Sequence, residues 1–176
     1  AGNIGFAGGC AYGKAVYLDG ANPSRGSGSF LQNKNFTNAD ISSNFTISLW
    51  MQPDGDMEMF SSMLSTGNDN DGPAFQIDVD DFATPVGRVR VFDRGLATRS
   101  AKGDVAVIGT WYHVVVVHDG SNNKMYLYQN GVYKDEGRNF LYECNSGTAP
   151  SCSMAREIWD KIIIGRNRYG SQKWKG

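Results

Sequence analysis

Two aspartates and a glutamine alternate with apolar residues in the segment AFQIDVDD. Gln76, Asp78 and Asp80 follow a period of two, which places them on one face of a β-strand. Two carboxyl groups on one sheet face could serve as the acid and the nucleophile of a retaining glycosidase, which lie about 5 to 5.5 Å apart. The spacing therefore raises glycoside hydrolysis, or a related lyase reaction, as one hypothesis.

The two histidines of the chain lie in the segment YHVVVVH, at His113 and His118. Because their spacing on a strand is odd, their side chains should point to opposite faces. We therefore expect neither a shared metal site nor a histidine-based lyase centre. The sequence also contains no nucleophile elbow, phosphate loop or zinc motif.

Amide and carboxylate oxygens are concentrated in the segment TGNDNDG, at Asn68, Asp69 and Asp71. Calcium takes roughly six to eight oxygen ligands of these kinds, although the segment lacks the spacing of an EF-hand. A solvated turn is the alternative interpretation, since Asn, Asp and Gly are common in turns. Asp19 and Asn22, in LDGANPS, form a second candidate calcium site.

Flat aromatic rings and hydrogen-bonding groups on the polar strand faces could bind a sugar. The candidates for this platform are Trp50, Gln76, Asp78, Arg90, Tyr126 and Tyr128. Trp159, Tyr169 and Trp174 lie in or beside predicted loops and are further candidates. An antiparallel sheet also commonly has one solvated face without a ligand, so that alternative stays open.

Short alternating segments separated by Gly, Asn, Asp and Ser predict strands that position these groups. The predicted strands are Ala15 to Leu18, Phe45 to Met51, Ser62 to Ser65, Ala74 to Val79, Arg88 to Phe92, Tyr112 to Asp119, Met125 to Gln129 and Lys161 to Gly165. HVVVVH is apolar on both sides, as in a central strand covered on both faces. Asn130-Gly131 suits a type I′ hairpin, and the one predicted helix is short, around Met154 to Trp159. Two antiparallel sheets packed as a sandwich are the simplest all-β arrangement.

Length and composition are those of one folded domain, which we assign to residues 1–176 with residues 1–13 as a lead-in. Of the 176 residues, 40% are hydrophobic and 20% are charged. The net charge of -1 provides no general attraction to nucleic acid or to anionic lipid. No apolar run approaches the roughly 20 residues that span a bilayer.

The cysteines favour an oxidising environment. Cys144 and Cys152 bracket the polar loop CNSGTAPSC, and we interpret them as a disulfide, with two free cytosolic thiols as the alternative. Cys10 is left over and would be a free thiol or part of an intermolecular bond. A secreted, extracellular or cell-surface location is the expectation.

Segments spread over Lys14 to Gly176 are similar to one family. KAVYLDGAN, FTISLWMQPDG, GTWYHVVVVHDGSNNKMYLYQNGVYKDEG and KIIIGRNRYGSQKWKG occur in that order. Together they resemble the laminin G-like and pentraxin-like domains of the concanavalin A-like jelly-roll superfamily, especially their bacterial secreted branch. Each motif alone would be weak evidence for this family, whereas their occurrence together in this order is specific to it.

The resemblance implies a two-sheet jelly roll that binds glycans or proteins, often with calcium at a rim. It favours Asp69 or Asp71 as a calcium ligand and makes Trp50 and Trp111 packing residues. The family's final strand would follow the KWKG position, so we expect that strand, and with it a usual partner of Asp19, either to lie beyond Gly176 or to come from another chain. Jelly-roll glucanases carry Glu-x-Asp-x-Glu, whereas this chain has Gln-x-Asp-x-Asp at Gln76–Asp80, which argues against hydrolysis.

Three functional hypotheses result. The first is a secreted, non-catalytic laminin G-like module that binds a glycan or an extracellular partner with the help of calcium and a disulfide. The second is a subunit of an extracellular filament or adhesin that is completed by a strand from a neighbouring chain, with Cys10 available for a bond between chains. The third is a glycan hydrolase or lyase that uses Asp78 and Asp80.

Overall fold

The computed structural model is all-β, as predicted. It describes residues 4–7, 15–18, 30–33, 35, 44–54, 61–66, 75–80, 87–93, 100–119, 124–138, 161–166, 174 and 176. In these ranges the strands are β1 (Ile4–Ala7), β2 (Ala15–Leu18), β3 (Leu31–Asn33), β4 (Asn44–Met51), β5 (Ser61–Thr66), β6 (Phe75–Asp80), β7 (Arg88–Asp93), β8 (Ala101–Val105), β9 (Tyr112–Asp119), β10 (Lys124–Gln129), β11 (Val132–Arg138) and β12 (Ile162–Ile164). The same ranges contain no helix that could cross a membrane.

Two antiparallel sheets form the sandwich. The larger has the order β3-β12-β5-β6-β7-β8 and the smaller has the order β11-β10-β9-β4. β1 and β2 form a separate antiparallel pair, so the predicted lead-in contains a strand. The predicted helix around Met154 to Trp159 lies outside the described residues.

Alternation along the strands builds the core between the sheets. Phe75, Ile77 and Val79 of β6 are buried there with Val114 and Val116 of β9. The ring of Phe45, on β4, meets the ring of Phe75 edge to face at 5.9 Å between centroids, which joins the two sheets. Burial of such apolar side chains is the main stabilising term of a sandwich core.

The central strand β9 departs from the sequence interpretation. Its residues alternate between buried and half-buried, so only the core side of HVVVVH is fully covered. Val115 and Val117 point away from the core and are half-buried, while His118 is buried beside Phe45, whose ring stacks on it at 4.6 Å. The prediction that His113 and His118 face opposite sides is confirmed.

One edge of the sandwich is closed by side chains that reach between the sheets. Gln129 of β10 accepts a hydrogen bond from the backbone N–H of Asp104 on β8, at 2.8 Å. The backbone N–H of Lys102 donates to Asp135 of β11, at 3.0 Å. A Cβ at residue 103 would lie too close to the Gln129 amide oxygen, so glycine is the residue that fits here without displacing that side chain.

The hairpin between β10 and β11 turns at Asn130 and Gly131. Both residues have positive φ, at 53° and 77°, as a type I′ turn requires. The Asn130 side chain accepts a hydrogen bond from the backbone N–H of His113, at 2.9 Å. The turn therefore also fixes the start of β9.

Candidate functional site

The structure divides the predicted sugar platform between two opposite surfaces. Gln76, Asp78 and Arg90 lie on the outer face of the six-stranded sheet, because their neighbours in sequence form the core. Trp50 lies on the outer face of the four-stranded sheet by the same alternation, as do Tyr126 and Tyr128. The six candidates cannot form one site, since the whole core separates the two groups.

On the six-stranded sheet, Asp78 is the centre of a buried polar cluster. Its side chain is 0% exposed and receives two hydrogen bonds from Arg90, which lies directly opposite on β7. Arg90 Nε donates to Oδ1 at 2.8 Å and Nη2 donates to Oδ2 at 2.6 Å. Gln76 Nε2 donates to the same Oδ2 at 2.8 Å. This bidentate, charge-assisted arrangement holds Asp78 as a carboxylate.

That arrangement leaves Asp78 poorly suited to acid or nucleophile chemistry. Both carboxylate oxygens are engaged by Arg90 or Gln76, and the group has no solvent exposure. Asp80 ends β6, but its side chain lies outside the described part of the structure. The cluster is a structural ion pair that lies on the outer face of the sheet.

On the four-stranded sheet, Trp50 is 59% exposed. Its ring stacks on the imidazole of His113, directly opposite on β9, at 4.9 Å between centroids and 20° between planes. The imidazole is held in turn by a 2.8 Å hydrogen bond between His113 Nε2 and Ser48 Oγ. The expectation that Trp50 is a packing residue is wrong, because one plane rests on His113 and most of the side chain faces solvent.

Tyrosines occupy the other half of this face. Tyr128 contacts Tyr133 of β11 edge to face at 5.8 Å, and Tyr133 is 49% exposed. Partial desolvation, followed by the nearby carboxylates of Glu136 and Asp135, raises the pKa of Tyr133 above its usual 10.0. Tyr133 therefore remains a neutral phenol throughout the physiological range.

The charged pair Lys124 and Glu136 borders the tyrosines. Lys124 Nζ donates to both carboxylate oxygens of Glu136, at 3.0 and 3.1 Å, and lies 6.0 Å from the centroid of the Tyr126 ring. The hydrogen bond to Glu136, followed by the attraction between the charges, raises the pKa of Lys124. These two charges neutralise each other on the surface.

Strand register aligns these groups in rows across the sheet. Ser48, Val115, Tyr128 and Tyr133 form one row, and the next contains Thr46, Val117, Tyr126 and Glu136. Trp50 and His113 form the row at one end. We call the surface made by Trp50, His113, Val115, Val117, Tyr126, Tyr128 and Tyr133 the aromatic face. The members of this face that were not among the predicted binding residues are His113, Val115, Val117 and Tyr133, and Ser48 supports the face through His113.

Trp174 does not belong to either outer face. We expected it to be available in a loop, but its side chain is only 5% exposed and packs in the hydrophobic core. Its backbone N–H donates to the carbonyl of Gly165, at 2.9 Å. Trp174 is therefore a core residue and not a ligand contact.

The remaining predicted site residues lie outside the described residues. They are the calcium candidates Asp19, Asn22, Asn68, Asp69 and Asp71, the cysteines Cys10, Cys144 and Cys152, and the aromatic residues Trp159 and Tyr169. In the part of the chain that the structure describes, no group of three or more His, Cys, Asp or Glu could hold a metal ion. The calcium and disulfide interpretations stay predictions.

Comparison with known proteins agrees with this two-sheet architecture. The laminin G-type family described as the concanavalin A-like lectin/glucanases superfamily matches residues 25–176. Because the match covers most of the chain, the protein belongs to this superfamily, and the resemblance seen in the sequence is confirmed. A search of curated proteins finds no match.

Among solved structures, one similar chain is domain 4 of AbnA, a GH43 extracellular arabinanase from Geobacillus stearothermophilus, in complex with arabinotriose. The two chains are 20% identical, with a TM-score of 0.62, and the match covers 100% of this chain and 72% of the other. At this identity the likeness supports the fold.

Proposed function

We propose that this protein is a non-catalytic carbohydrate-binding module and that it binds sugar on the aromatic face. The observation that carries the proposal is the exposed Trp50, stacked on His113. Single exposed aromatic residues are common, but a contiguous exposed aromatic surface often marks a binding site, and Trp50 shares this face with Tyr126, Tyr128 and Tyr133. One plane of the indole is held by protein, and the other is available for the apolar face of a sugar ring.

The support behind Trp50 makes it suitable for binding. Ser48 fixes His113 and His113 fixes the indole, so less side-chain entropy is lost when a ligand is bound. Rigid aromatic side chains provide large contact areas at low entropic cost. An isolated flexible tryptophan would lack this advantage.

The comparisons support the carbohydrate class. The superfamily contains lectins and glucanases by its description, and the similar AbnA domain was solved with arabinotriose. A neutral oligosaccharide therefore agrees with both the fold and the aromatic face. We include calcium dependence and secretion in the proposal on the sequence motifs alone.

The polar cluster on the other sheet favours binding over catalysis. Asp78 is buried and paired with Arg90, whereas an acid or nucleophile must reach the scissile bond. Replacing Asp78 in an active hydrolase would abolish activity. In a binding module the same change should act through stability alone.

Isothermal titration with arabinotriose, xylotriose and cellotriose, each with and without EDTA, tests the proposal. We expect at least one sugar to bind and Trp50→Ala to weaken its binding by more than about tenfold while the fold is retained. Val105→Ala, an exposed position on the six-stranded sheet, is the matched control and should bind normally. Equal binding by Trp50→Ala and wild type would contradict the assignment of this face.

The second candidate is a subunit completed by a strand from a neighbouring chain. Among the described strands, β4 is hydrogen-bonded to β9 alone. The core-facing side chains of β4, Phe45, Ile47 and Leu49, are only partly buried, unlike those of β9. An added strand at this edge would cover them. Concentration-dependent assembly that is lost when Ile47 is replaced by Lys would favour this function, and a monomer at every concentration would count against it.

A further inference from the structure

We propose that the ligand is a linear, neutral oligosaccharide that crosses β9 from Trp50 to the tyrosines, so that affinity requires a chain of several sugar units. This inference rests on the proposed function and adds the length, charge and direction of the ligand. Besides the predicted Trp50, Tyr126 and Tyr128, it uses residues between them that the sequence analysis did not single out.

The distance between Trp50 and the tyrosines determines how long the bound oligosaccharide must be. Trp50 is opposite His113, whereas Tyr128 is opposite Val115, two residues further along β9. With about 4.8 Å between strands and about 3.4 Å per residue, the Cα atoms of Trp50 and Tyr128 are about 12 Å apart. The same geometry gives about 17 Å from Trp50 to Tyr126. A single sugar ring cannot contact both ends, whereas a short chain of rings can.

The residues between the two ends form a shallow path. Val115 and Val117 of β9 are half-buried and short, and Ser48 and Thr46 flank them on β4. The larger Tyr126 and Tyr128 flank them on β10. The path is therefore low and apolar along its floor, with hydroxyl groups at its sides. These are the chemical features of a ligand with flat apolar ring faces and hydroxylated edges.

The charge on this face favours a neutral chain. Lys124 and Glu136 bond to each other beside Tyr126, so their charges cancel. Tyr133 is a neutral phenol at physiological pH, as tyrosine ordinarily is, and its pKa is raised further. A uronic acid chain would gain no net electrostatic attraction from these groups.

Val115→Arg is the most direct test, because the long charged side chain would stand in the middle of the path. Titrations would use arabino-, xylo- and cello-oligosaccharides from the monosaccharide to the hexasaccharide. For wild type we expect affinity to rise at least about tenfold between disaccharide and pentasaccharide, about 1.4 kcal/mol in free energy. Val115→Arg should remove this increase and leave weak, Trp50-dependent binding. Val132→Arg, exposed on β11, is the matched control and should retain the length dependence.

The outcomes separate this inference from the proposed function. Binding that needs Trp50 but is equal for short and long chains, or is unaffected by Val115→Arg, would overturn the path and leave the binding module intact. No binding by any of the sugars, or binding that does not depend on Trp50, would overturn both. Near-ultraviolet circular dichroism checks that Val115→Arg is folded, and Tyr128→Ala supplies a second variant that should also lose the length dependence.

Discussion

The outer faces of the two sheets are built by the same alternation and have opposite properties. On the six-stranded sheet the outward side chains of Gln76 and Arg90 both donate hydrogen bonds to Asp78, which is completely buried. On the four-stranded sheet Trp50 and Tyr133 point outward and are largely exposed. An outward position in a strand therefore does not guarantee a surface group. Burial and partners decide whether such a residue stabilises the fold or meets a ligand.

The largest effect should come from breaking the buried pair. Asp78→Asn removes the buried carboxylate charge that accepts two hydrogen bonds from Arg90, and we expect a loss of about 3 kcal/mol in the free energy of unfolding. Urea denaturation measures this value. The paired replacement Asp78→Leu with Arg90→Met should cost less than Asp78→Asn alone, because no buried charge remains unpaired.

Asp104→Asn is the matched control for the buried pair. Asp104 also forms an ion pair, with Lys134, but its side chain is 63% exposed. We expect a change of less than about 1 kcal/mol, as for exposed ion pairs. A loss similar to that of Asp78→Asn would mean that burial does not distinguish the two pairs.

A change where β8 meets β10 should lower the stability of the protein without affecting sugar binding. Gly103→Ala would force the Gln129 amide from its hydrogen bond with the Asp104 N–H, at an expected cost of about 1 to 3 kcal/mol. Thermal unfolding measures the loss. Sugar binding by the folded fraction should be normal, since neither residue lies on the aromatic face. Selective loss of binding in a stable Gly103→Ala protein would contradict this separation.

Trp50→Ala should weaken sugar binding and leave stability nearly unchanged. Because the side chain is mostly exposed, we expect the free energy of unfolding to change by less than about 1 kcal/mol. Sugar affinity should fall by more than about tenfold, as for a central aromatic contact. Titration and urea denaturation of the same preparation give both values. A large loss of stability would indicate that Trp50 is a packing residue after all.

His113 should act on sugar binding through Trp50. His113→Ala removes the surface beneath the indole and should weaken binding severalfold without removing a direct ligand contact. His113→Phe keeps an aromatic ring and should restore most of the affinity. Iodide quenching of tryptophan fluorescence, with Trp50→Ala as the reference for the other three tryptophans, should report greater accessibility of the Trp50 ring in His113→Ala only. Unchanged fluorescence together with weaker binding would argue for direct contact of His113 with the sugar.

The smallest effect should come from Lys124→Met. Lys124 and Glu136 are well exposed, and such surface pairs contribute little to stability. We expect no measurable change in melting temperature at neutral pH. The raised pKa of Lys124 means that any contribution is present at neutral pH and is lost only as pH rises above 10.5.

Much of the fold could be predicted because alternation is local. The sequence predicted most strands from FTISLWM to KMYLYQ, the hairpin at Asn130-Gly131 and the two-sheet class, but it missed β8. The binding candidates were less predictable. Trp50, Tyr126 and Tyr128 could be identified as outward aromatic residues, but Ser48 and His113 form their contact across 65 positions. No sequence period reveals the register between β4 and β9.

The sequence by itself determined which side of each strand is apolar, and its ordered motifs determined the superfamily. Only the tertiary structure decided that Gln76, Asp78 and Arg90 share one sheet while Trp50, Tyr126 and Tyr128 share the other. It also decided that Trp174 is buried in the core and that Trp50 is not. The physical reason is that alternation is fixed by the geometry of a single strand, whereas pairing, register and burial depend on contacts between residues that are distant in the chain.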